Sequence, residues 1–178
     1  MDAGEYAGYF KRYVDMNIRP FEIDTDFDII KDWITDERTH AMWSANRMVY
    51  PLERANLQQV LAEMHDKFGD KSFVAVKDDG SVAGFFCYSL NNDSKEGMLK
   101  FIVVDPQCRG KGIAEEMIKL ALADAFDNPD TDAVQLNVFS ENIRAKKFYE
   151  KIGFRERRTA ENAFAYKDES WDRCNMVI

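Results

Sequence analysis

The segment Val103-Val104-Asp105-Pro106-Gln107-Cys108-Arg109-Gly110-Lys111-Gly112-Ile113-Ala114 joins an apolar stretch to a helical pattern through two closely spaced glycines. A strand that runs through such a turn directly into a helix points backbone N–H groups and the positive helix end at one place, where they can bind an anion. Two common phosphate-binding patterns do not fit. Glu115 replaces the third glycine of the dinucleotide pattern, and Gly112 follows Lys111 where a P-loop needs Ser or Thr. We therefore expect an anion site of another type.

Hydrophobic periodicity on both sides of this loop predicts a mixed sheet with helices. The predicted helices are 26–35, 52–68, 114–126 and 142–152, and the predicted strands are 17–21, 73–76, 82–90, 98–104 and 134–138, with two more in the tail 154–178. This order predicts an α/β or α+β domain in which an antiparallel meander precedes a β-α-β-α-β ending. The parallel crossover is expected to run through the helix that starts near Gly112.

The composition is that of a globular domain. The chain has 178 residues, 46% of them hydrophobic, and a formal net charge of −8, so one domain with a sizeable core is expected. The acidic balance disfavours non-specific binding to nucleic acid or to an anionic membrane, and no apolar run approaches the ~18 residues that span a bilayer. The cysteines and histidines form no zinc pattern or disulfide framework, which predicts no metal and a cytoplasmic location: Cys87, Cys108, Cys174, His40 and His65.

Residues 1–16 are expected to form an N-terminal extension in front of a domain at 17–178. A helical face favours a short helix that docks on the domain or on a second subunit: Tyr6, Tyr9, Phe10, Tyr13 and Val14. A frayed extension before a start at Met16 explains the segment equally well. A homodimer is accordingly one expectation for this chain.

A second motif follows the loop after about thirty residues and carries a resemblance to a known family. Arg109-x-x-Gly112-x-Ala114 resembles the R/Q-x-x-G-x-G/A signature of the GNAT superfamily of N-acetyltransferases. The run from Asn142 through Ala145, Phe148 and Tyr149 to Gly153-Phe154 is similar to the family's N-x-x-A-x-x-F/L-Y-x-x-x-G-F helix. The resemblance covers roughly nine tenths of the chain, 17–178, and is nearest to small acetyltransferases related to the ribosomal-protein N-terminal enzymes.

The resemblance implies a fold, a cosubstrate and a set of site residues. The fold would be the GNAT fold, a mixed and mostly antiparallel sheet of about six to seven strands with about four helices, with strands 4 and 5 parallel and splayed. The reaction would transfer the acetyl group of acetyl-CoA to a primary amine, and Tyr149 would act as general acid. The cosubstrate would be held along its length by Ile102, Val103, Val104, Arg109, Gly110, Lys111, Gly112, Ile113, Ala114 and Asn142.

The strand before the loop does not carry an evident general base. Members of the family often place a carboxylate on the strand before the loop, whereas this chain has Met98, Leu99, Lys100 and Phe101 there, with Glu96 in the adjoining turn. Deprotonating a lysine-like amine at pH 7 costs about 4.6 kcal/mol, but a peptide α-amine costs only about 1–1.4 kcal/mol. We therefore expect a water relay or an acceptor that loses its proton easily.

Two charged segments bear on the ligands. Residues 142–158 carry seven basic and two acidic residues, which suits a polyanionic cosubstrate beside the loop. Residues 22–37 carry seven acidic residues and one basic, which favours either a cationic amine acceptor or simply a solvated helix N-terminus.

The acceptor is thus predicted to be a small cationic amine or a peptide or protein N-terminus. The competing hypothesis is a non-catalytic acyl-CoA-binding or sensing module, and a third is a structural protein whose loop binds nothing. Cys108 is expected to be inert, because no histidine lies near it in sequence to activate it, and His40 and His65 are expected at the surface.

Overall fold

The computed structural model describes residues 15–178, so the extension predicted at 1–16 lies outside the described residues except for its last two residues, of which Met16 begins the first strand. The strands are β1 Met16–Pro20, β2 Lys71–Lys77, β3 Val82–Asn91, β4 Glu96–Val104, β5 Ala133–Phe139, β6 Arg155–Tyr166 and β7 Glu169–Val177. The α-helices are α1 Ile23–Ile30, α2 Glu37–Ser44, α3 Arg54–Phe68, α4 Ile113–Asp127 and α5 Ile143–Lys151. None of these helices is long and apolar enough to cross a membrane.

The strands form one sheet in the order β1-β2-β3-β4-β5-β7-β6. Every neighbouring pair is antiparallel except β4 and β5, which are parallel and connected through α4. The mixed, mostly antiparallel sheet and the position of its crossover are therefore confirmed. Two strands after α5 form a hairpin, as the tail pattern predicted.

One of the helices, α2, was not predicted from the sequence. The prediction of one helix over 26–35 was wrong in its limits, because α1 spans Ile23–Ile30 and a turn then leads to Asp36. Asp36 begins α2 by accepting a hydrogen bond from the backbone N–H of Thr39 at 2.8 Å. This capping signal was present in the sequence.

The core lies on both faces of the sheet. On one face α4 packs through Met117, Ile118 and Leu122, which are at most 5% exposed. On the other face α1 and α3 share a buried cluster with Val74 and Phe85 of the sheet. The approach of α4 to β3 needs Gly84, where an added Cβ would lie 2.4 Å from the Met117 sulfur. Packing on both faces therefore holds the helices in place against the sheet.

That gap opens where β4 and β5 stop pairing. Their parallel ladder runs only from Glu96 opposite Ala133 to Leu99 opposite Leu136. Just beyond it, β4 contains a bulge, because the register on β3 leaves two residues of β4 opposite one of β3. Phe101 in this bulge has φ +51°, a left-handed conformation that is strained for a residue with a large side chain. The edge of β4 that faces β5 is consequently unpaired from residue 100 onward.

Candidate active site

The glycine-rich loop presents unpaired backbone donors at the start of α4. Gly110 and Gly112 have φ +74° and +78°, conformations that glycine adopts without strain, and an added Cβ at either would meet no atom within 4 Å. The first hydrogen bond within α4 runs from the Glu116 N–H to the Gly112 carbonyl at 3.0 Å. The three preceding N–H groups therefore have no partner inside the helix, and no side chain caps Gly112. This arrangement fits an anionic group such as a pyrophosphate.

Electrostatics around the loop favour the same kind of ligand. Arg109 and Lys111 are exposed on the loop. Glu115, in the first turn of α4, accepts hydrogen bonds from Lys119 at 2.8 Å and Lys151 at 3.1 Å. These bonds lower the pKa of Glu115 and neutralise its charge, so it does not repel an anion at the helix end.

The loop forms one end of a cavity of about 650 Å³ that fills the gap between β4 and β5. We call it the cofactor cavity. It brings together all but one of the residues that the resemblance assigned to the site: Ile102, Val103, Val104, Arg109, Gly110, Gly112, Ile113, Ala114, Asn142 and Tyr149. Lys111 is the exception, since it lies at the surface outside the lining.

Asn142 and Tyr149 reach this cavity from α5. The side-chain oxygen Oδ1 of Asn142 accepts a hydrogen bond from the Ala145 N–H at 3.3 Å and so caps the helix, which leaves its side-chain NH₂ for the cavity. Tyr149 is 8% exposed, and its ring packs against Phe148 and Phe154. Burial raises the pKa of Tyr149, and its hydroxyl makes no hydrogen bond within the described residues. The phenol therefore holds its proton at neutral pH.

A second cavity, of about 560 Å³, adjoins the first across β4. We call it the acceptor cavity. Both cavities share one set of lining residues on α2, β4 and β5: Met42, Trp43, Leu99, Lys100, Phe101, Asn137 and Val138. The two spaces therefore meet at the strained bulge of β4.

Glu96 lies in the wall of the acceptor cavity but is already paired. Its two carboxylate oxygens accept hydrogen bonds from Arg157 at 2.6 and 3.1 Å, and Gln135 donates another at 2.6 Å. The Arg157 guanidinium holds the pKa of Glu96 below its usual range. A carboxylate held in this way is a poor general base for an amine.

The acidic residues of 22–37 do not line either cavity. Asp26 is 1% exposed and bonds both oxygens to Arg19 at 2.8 Å, while Asp24 and Asp28 pair with Arg54. Of the two explanations for this segment, the structure favours the helix N-terminus over an acidic rim on the acceptor path.

Two further candidate residues, His40 and Cys108, are buried in the fold. The prediction that His40 lies at the surface was wrong. It is 2% exposed, and its Nε2 is 2.9 Å from the Met48 carbonyl oxygen, because α2 packs against the chain that follows it. Cys108 is buried below the loop. Within 15–178 no group of three or more metal-ligating side chains comes together.

Comparisons with known proteins agree with this architecture. A family model described as the acetyltransferase (GNAT) family matches residues 27–154. An uncharacterized N-acetyltransferase derived from the SPbeta prophage of Bacillus subtilis (strain 168) is 29% identical over 127 residues, which are 71% of this chain and 69% of that protein. The spermine/spermidine N(1)-acetyltransferase of the same strain is 28% identical over 82 residues, 43% of this chain and 54% of that protein.

Solved structures show the same fold. The crystal structure of spermidine N-acetyltransferase from Vibrio cholerae in complex with CoA and spermine has a TM-score of 0.75 and 23% identity, and covers 92% of this chain and 95% of that one. This likeness confirms the predicted sheet with its splayed fourth and fifth strands. Kinship to the ribosomal-protein branch stays a prediction. The matched model, the loop and the splayed sheet together show that the chain belongs to the acetyltransferase (GNAT) family.

Proposed function

We propose that the protein transfers the acetyl group of acetyl-CoA to a primary amine by direct attack of the amine on the thioester. The observation that carries this proposal is the meeting of two cavities at the β4 bulge, one with an anion-binding loop and the other open to an acceptor. Direct attack needs both reactants at one place, and two cavities that share seven lining residues would bring them together there.

The cofactor cavity suits acetyl-CoA along its whole length. The unpaired N–H groups at the start of α4 would bind the pyrophosphate, together with Arg109. The free edge of β4 at Ile102, Val103 and Val104 would bind the pantetheine arm, which Asn142 would contact from the opposite side. Bound in this way, acetyl-CoA would supply a thioester whose carbonyl carbon accepts the amine.

Protein groups then stabilise the reacting atoms. A backbone N–H near Val103 or Val104 would polarise the carbonyl oxygen, in the manner of an oxyanion hole. Tyr149 holds a proton on its Oη and would give it to the sulfur as the carbon–sulfur bond breaks. Because burial keeps this phenol neutral, it is available as an acid at any pH near neutrality.

The base is the remaining requirement. Glu96 is held by Arg157, and the strand that in the family often carries a carboxylate has Lys100 directly before its bulge. We propose that the amine loses its proton to water that leads to solvent. Such a relay is adequate for an α-amine, whose deprotonation at pH 7 costs about 1–1.4 kcal/mol, and less so for a lysine-like amine.

The proposal includes the setting of the enzyme. The acceptor would be a small amine or a peptide N-terminus, and the names of two relatives and of the solved structures point to small amines as substrates of those proteins. A cytoplasmic location is supported by three free, buried thiols. The net charge of −8 supports the absence of nucleic-acid and membrane partners. A homodimer and the 1–16 extension stay predictions.

An amine-panel acetylation assay with mass detection tests the proposal. We expect N-acetylated products and release of the CoA thiol with at least one class of primary amine. The competing function, an acyl-CoA sensor, predicts that acetyl-CoA raises the melting temperature while no amine in the panel causes thiol release. A chain that neither turns over nor is stabilised by acetyl-CoA would contradict both functions.

A further inference from the structure

The charged side chains in the lining of the acceptor cavity are mainly cationic. Four basic side chains reach it from four different parts of the fold, and among residues 15–178 Glu96 is the one carboxylate in its lining: Arg47 after α2, Lys67 at the end of α3, Lys100 on β4 and Arg173 on β7. These residues are far apart in sequence, so no cluster of basic residues in the sequence indicates the cavity. Their common position is a property of the folded molecule.

Two of the charges in this lining are already compensated. Glu96 is bonded to Arg157, as described above. Lys100 donates to the Asp70 carboxylate at 2.6 Å and to the Ser89 hydroxyl at 3.3 Å, and the Asp70 side chain is only 2% exposed. Each of these two lining groups therefore has an ion-pair partner of opposite charge.

The other three cations have no such partner. Arg47, Lys67 and Arg173 form no ion pair with any acidic side chain among residues 15–178. All three are exposed, so they keep their positive charge and can move toward a ligand. The acceptor cavity thus carries a surplus of positive charge in a protein whose net charge is negative.

Apolar surface surrounds this charge. The Phe68 ring is 44% exposed, and its centroid lies 5.0 Å from the Lys67 ammonium and 4.5 Å from that of Lys100. Met64, Met98 and Phe139 line the same space. Low-polarity walls weaken solvent screening, so the cations act more strongly on a ligand there than on an open surface.

This arrangement disfavours a polycationic acceptor. An additional ammonium group on the acceptor would meet three uncompensated positive charges, whereas the acids of α1 that could have attracted it are paired elsewhere. An anionic group on the acceptor would instead form charge-assisted hydrogen bonds with the guanidinium and ammonium groups. The sign of the cavity therefore discriminates among amines.

We propose that the acceptor is a primary amine that also carries a carboxylate or phosphate group, and that Arg47, Lys67 and Arg173 bind this group. The inference rests on the proposed acetyl transfer and specifies its substrate class. A small amino acid-like molecule and the N-terminus of an acidic peptide share this chemistry.

Matched acceptors test the proposal. The small-molecule series is 4-aminobutanoate, 4-aminobutanamide and 1,4-diaminobutane. These amines share a four-carbon skeleton and differ in the group at the far end, which is negative, neutral or positive. The peptide series has Ala at the N-terminus, Glu, Gln or Lys second, and an amidated end. We expect kcat/KM for the acid to exceed that for the neutral amide by about tenfold or more in at least one series, with the cation last. The series with the larger ratio identifies the source of the anion.

Variants locate the effect. Arg47→Gln, Lys67→Gln and Arg173→Gln should each lower the acid-to-amide ratio by about threefold, with a greater loss in the triple variant. The matched control is Arg155→Gln, which removes an exposed arginine on β6 that lines neither cavity and should leave the ratio unchanged. In the unaltered protein, the ratio should fall as salt is added, a readout that needs no variant.

The outcomes separate this inference from the proposed function. Equal rates for acid and amide, or a preference for the diamine, would overturn the inference while leaving acetyl transfer intact. If no amine reacts, the proposed function fails, and calorimetric titration of the CoA-loaded protein with the same compounds decides the inference. Tighter binding of the acid than of the amide would then support an anion-binding cavity, and equal binding would overturn it.

Discussion

The two cavities that meet at the β4 bulge are built in opposite ways. The cofactor cavity draws mainly on three short segments, the end of β4, the loop into α4 and the first turns of α5, and the donors that it offers a ligand are largely backbone N–H groups. The acceptor cavity draws single side chains from α2, α3, β3, β4, β5 and β7. Backbone N–H groups at the loop would bind the pyrophosphate, which is the same whichever amine is acetylated. Scattered side chains can change one at a time, so specificity for the amine can diverge while the cosubstrate stays the same.

Tyr149→Phe gives the largest expected effect on the cofactor side. Removing the hydroxyl takes away the proton for the sulfur, so kcat should fall by about 100-fold with little change in acetyl-CoA affinity. Because the hydroxyl has no hydrogen-bond partner in 15–178, stability should barely change. Steady-state kinetics with thermal unfolding measures both quantities. Tyr88→Phe, which removes the hydroxyl of a half-buried tyrosine that lines neither cavity, is the control. Unchanged turnover in Tyr149→Phe would remove this residue from the mechanism.

Asp26→Asn tests whether the acidic segment serves structure instead of the acceptor. The Asp26 carboxylate is bonded to Arg19 and to the Glu22 N–H, and these bonds lower its pKa against the opposing effect of burial. The variant should lose about 1–2 kcal/mol of unfolding free energy, since Arg19 is partly exposed. The difference should be present above pH 5 and shrink as the pH falls through the lowered pKa.

Chemical denaturation and acceptor KM together measure the Asp26→Asn effect. Asp28→Asn is the control, because that carboxylate pairs at the surface with Lys31 and Arg54 and should contribute much less. A large rise in acceptor KM without loss of stability would instead indicate that the acidic segment 22–37 contacts the acceptor.

Gly112→Ala probes the backbone donors of the loop. A left-handed alanine costs about 1 kcal/mol, and relief of that strain would turn N–H groups away from the ligand. We expect the dissociation constant of acetyl-CoA, measured by calorimetry, to rise about tenfold. Gly80→Ala is a close match, with φ +82° against +78° and equally open space around an added Cβ. Both variants should lose similar stability, and only Gly112→Ala should lose affinity. Equal affinities would show that the loop does not bind the pyrophosphate.

Glu96→Gln should have the smallest effect. Glutamine retains a carbonyl acceptor for Arg157, and a carboxylate whose pKa is lowered by that arginine contributes no titration between pH 5 and 8. We expect kcat/KM to change by about threefold or less and the acidic side of the pH–rate profile to keep its shape. A loss near 100-fold, with disappearance of an acidic limb, would make Glu96 the base and remove the water relay.

The same contrast explains how far sequence reasoning reached. The loop from Arg109 to Ala114 and the α5 motif are continuous in sequence, and glycines mark their special conformations, so the fold and most residues that line the cofactor cavity could be predicted. Phe101 adopts its left-handed conformation because the register of β3 and β4 requires it, and no glycine signals this. Arg47, Lys67 and Arg173 become neighbours only when β7 inserts beside β5, a pairing that periodicity does not determine. His40 became buried for a similar reason, through packing of an unpredicted helix.

The short ladder between β4 and β5 also has a mechanical consequence. The hydrogen bonds of four residue pairs join the β1–β4 portion of the sheet to the β5, β7 and β6 portion. A cosubstrate lying along the free edge of β4 would bridge these two portions in the place of a strand. Local unfolding of one portion would then be coupled to local unfolding of the other. Amide hydrogen exchange should therefore slow on both sides of the gap when acetyl-CoA binds. The effect should extend to β7, no residue of which lines the cofactor cavity.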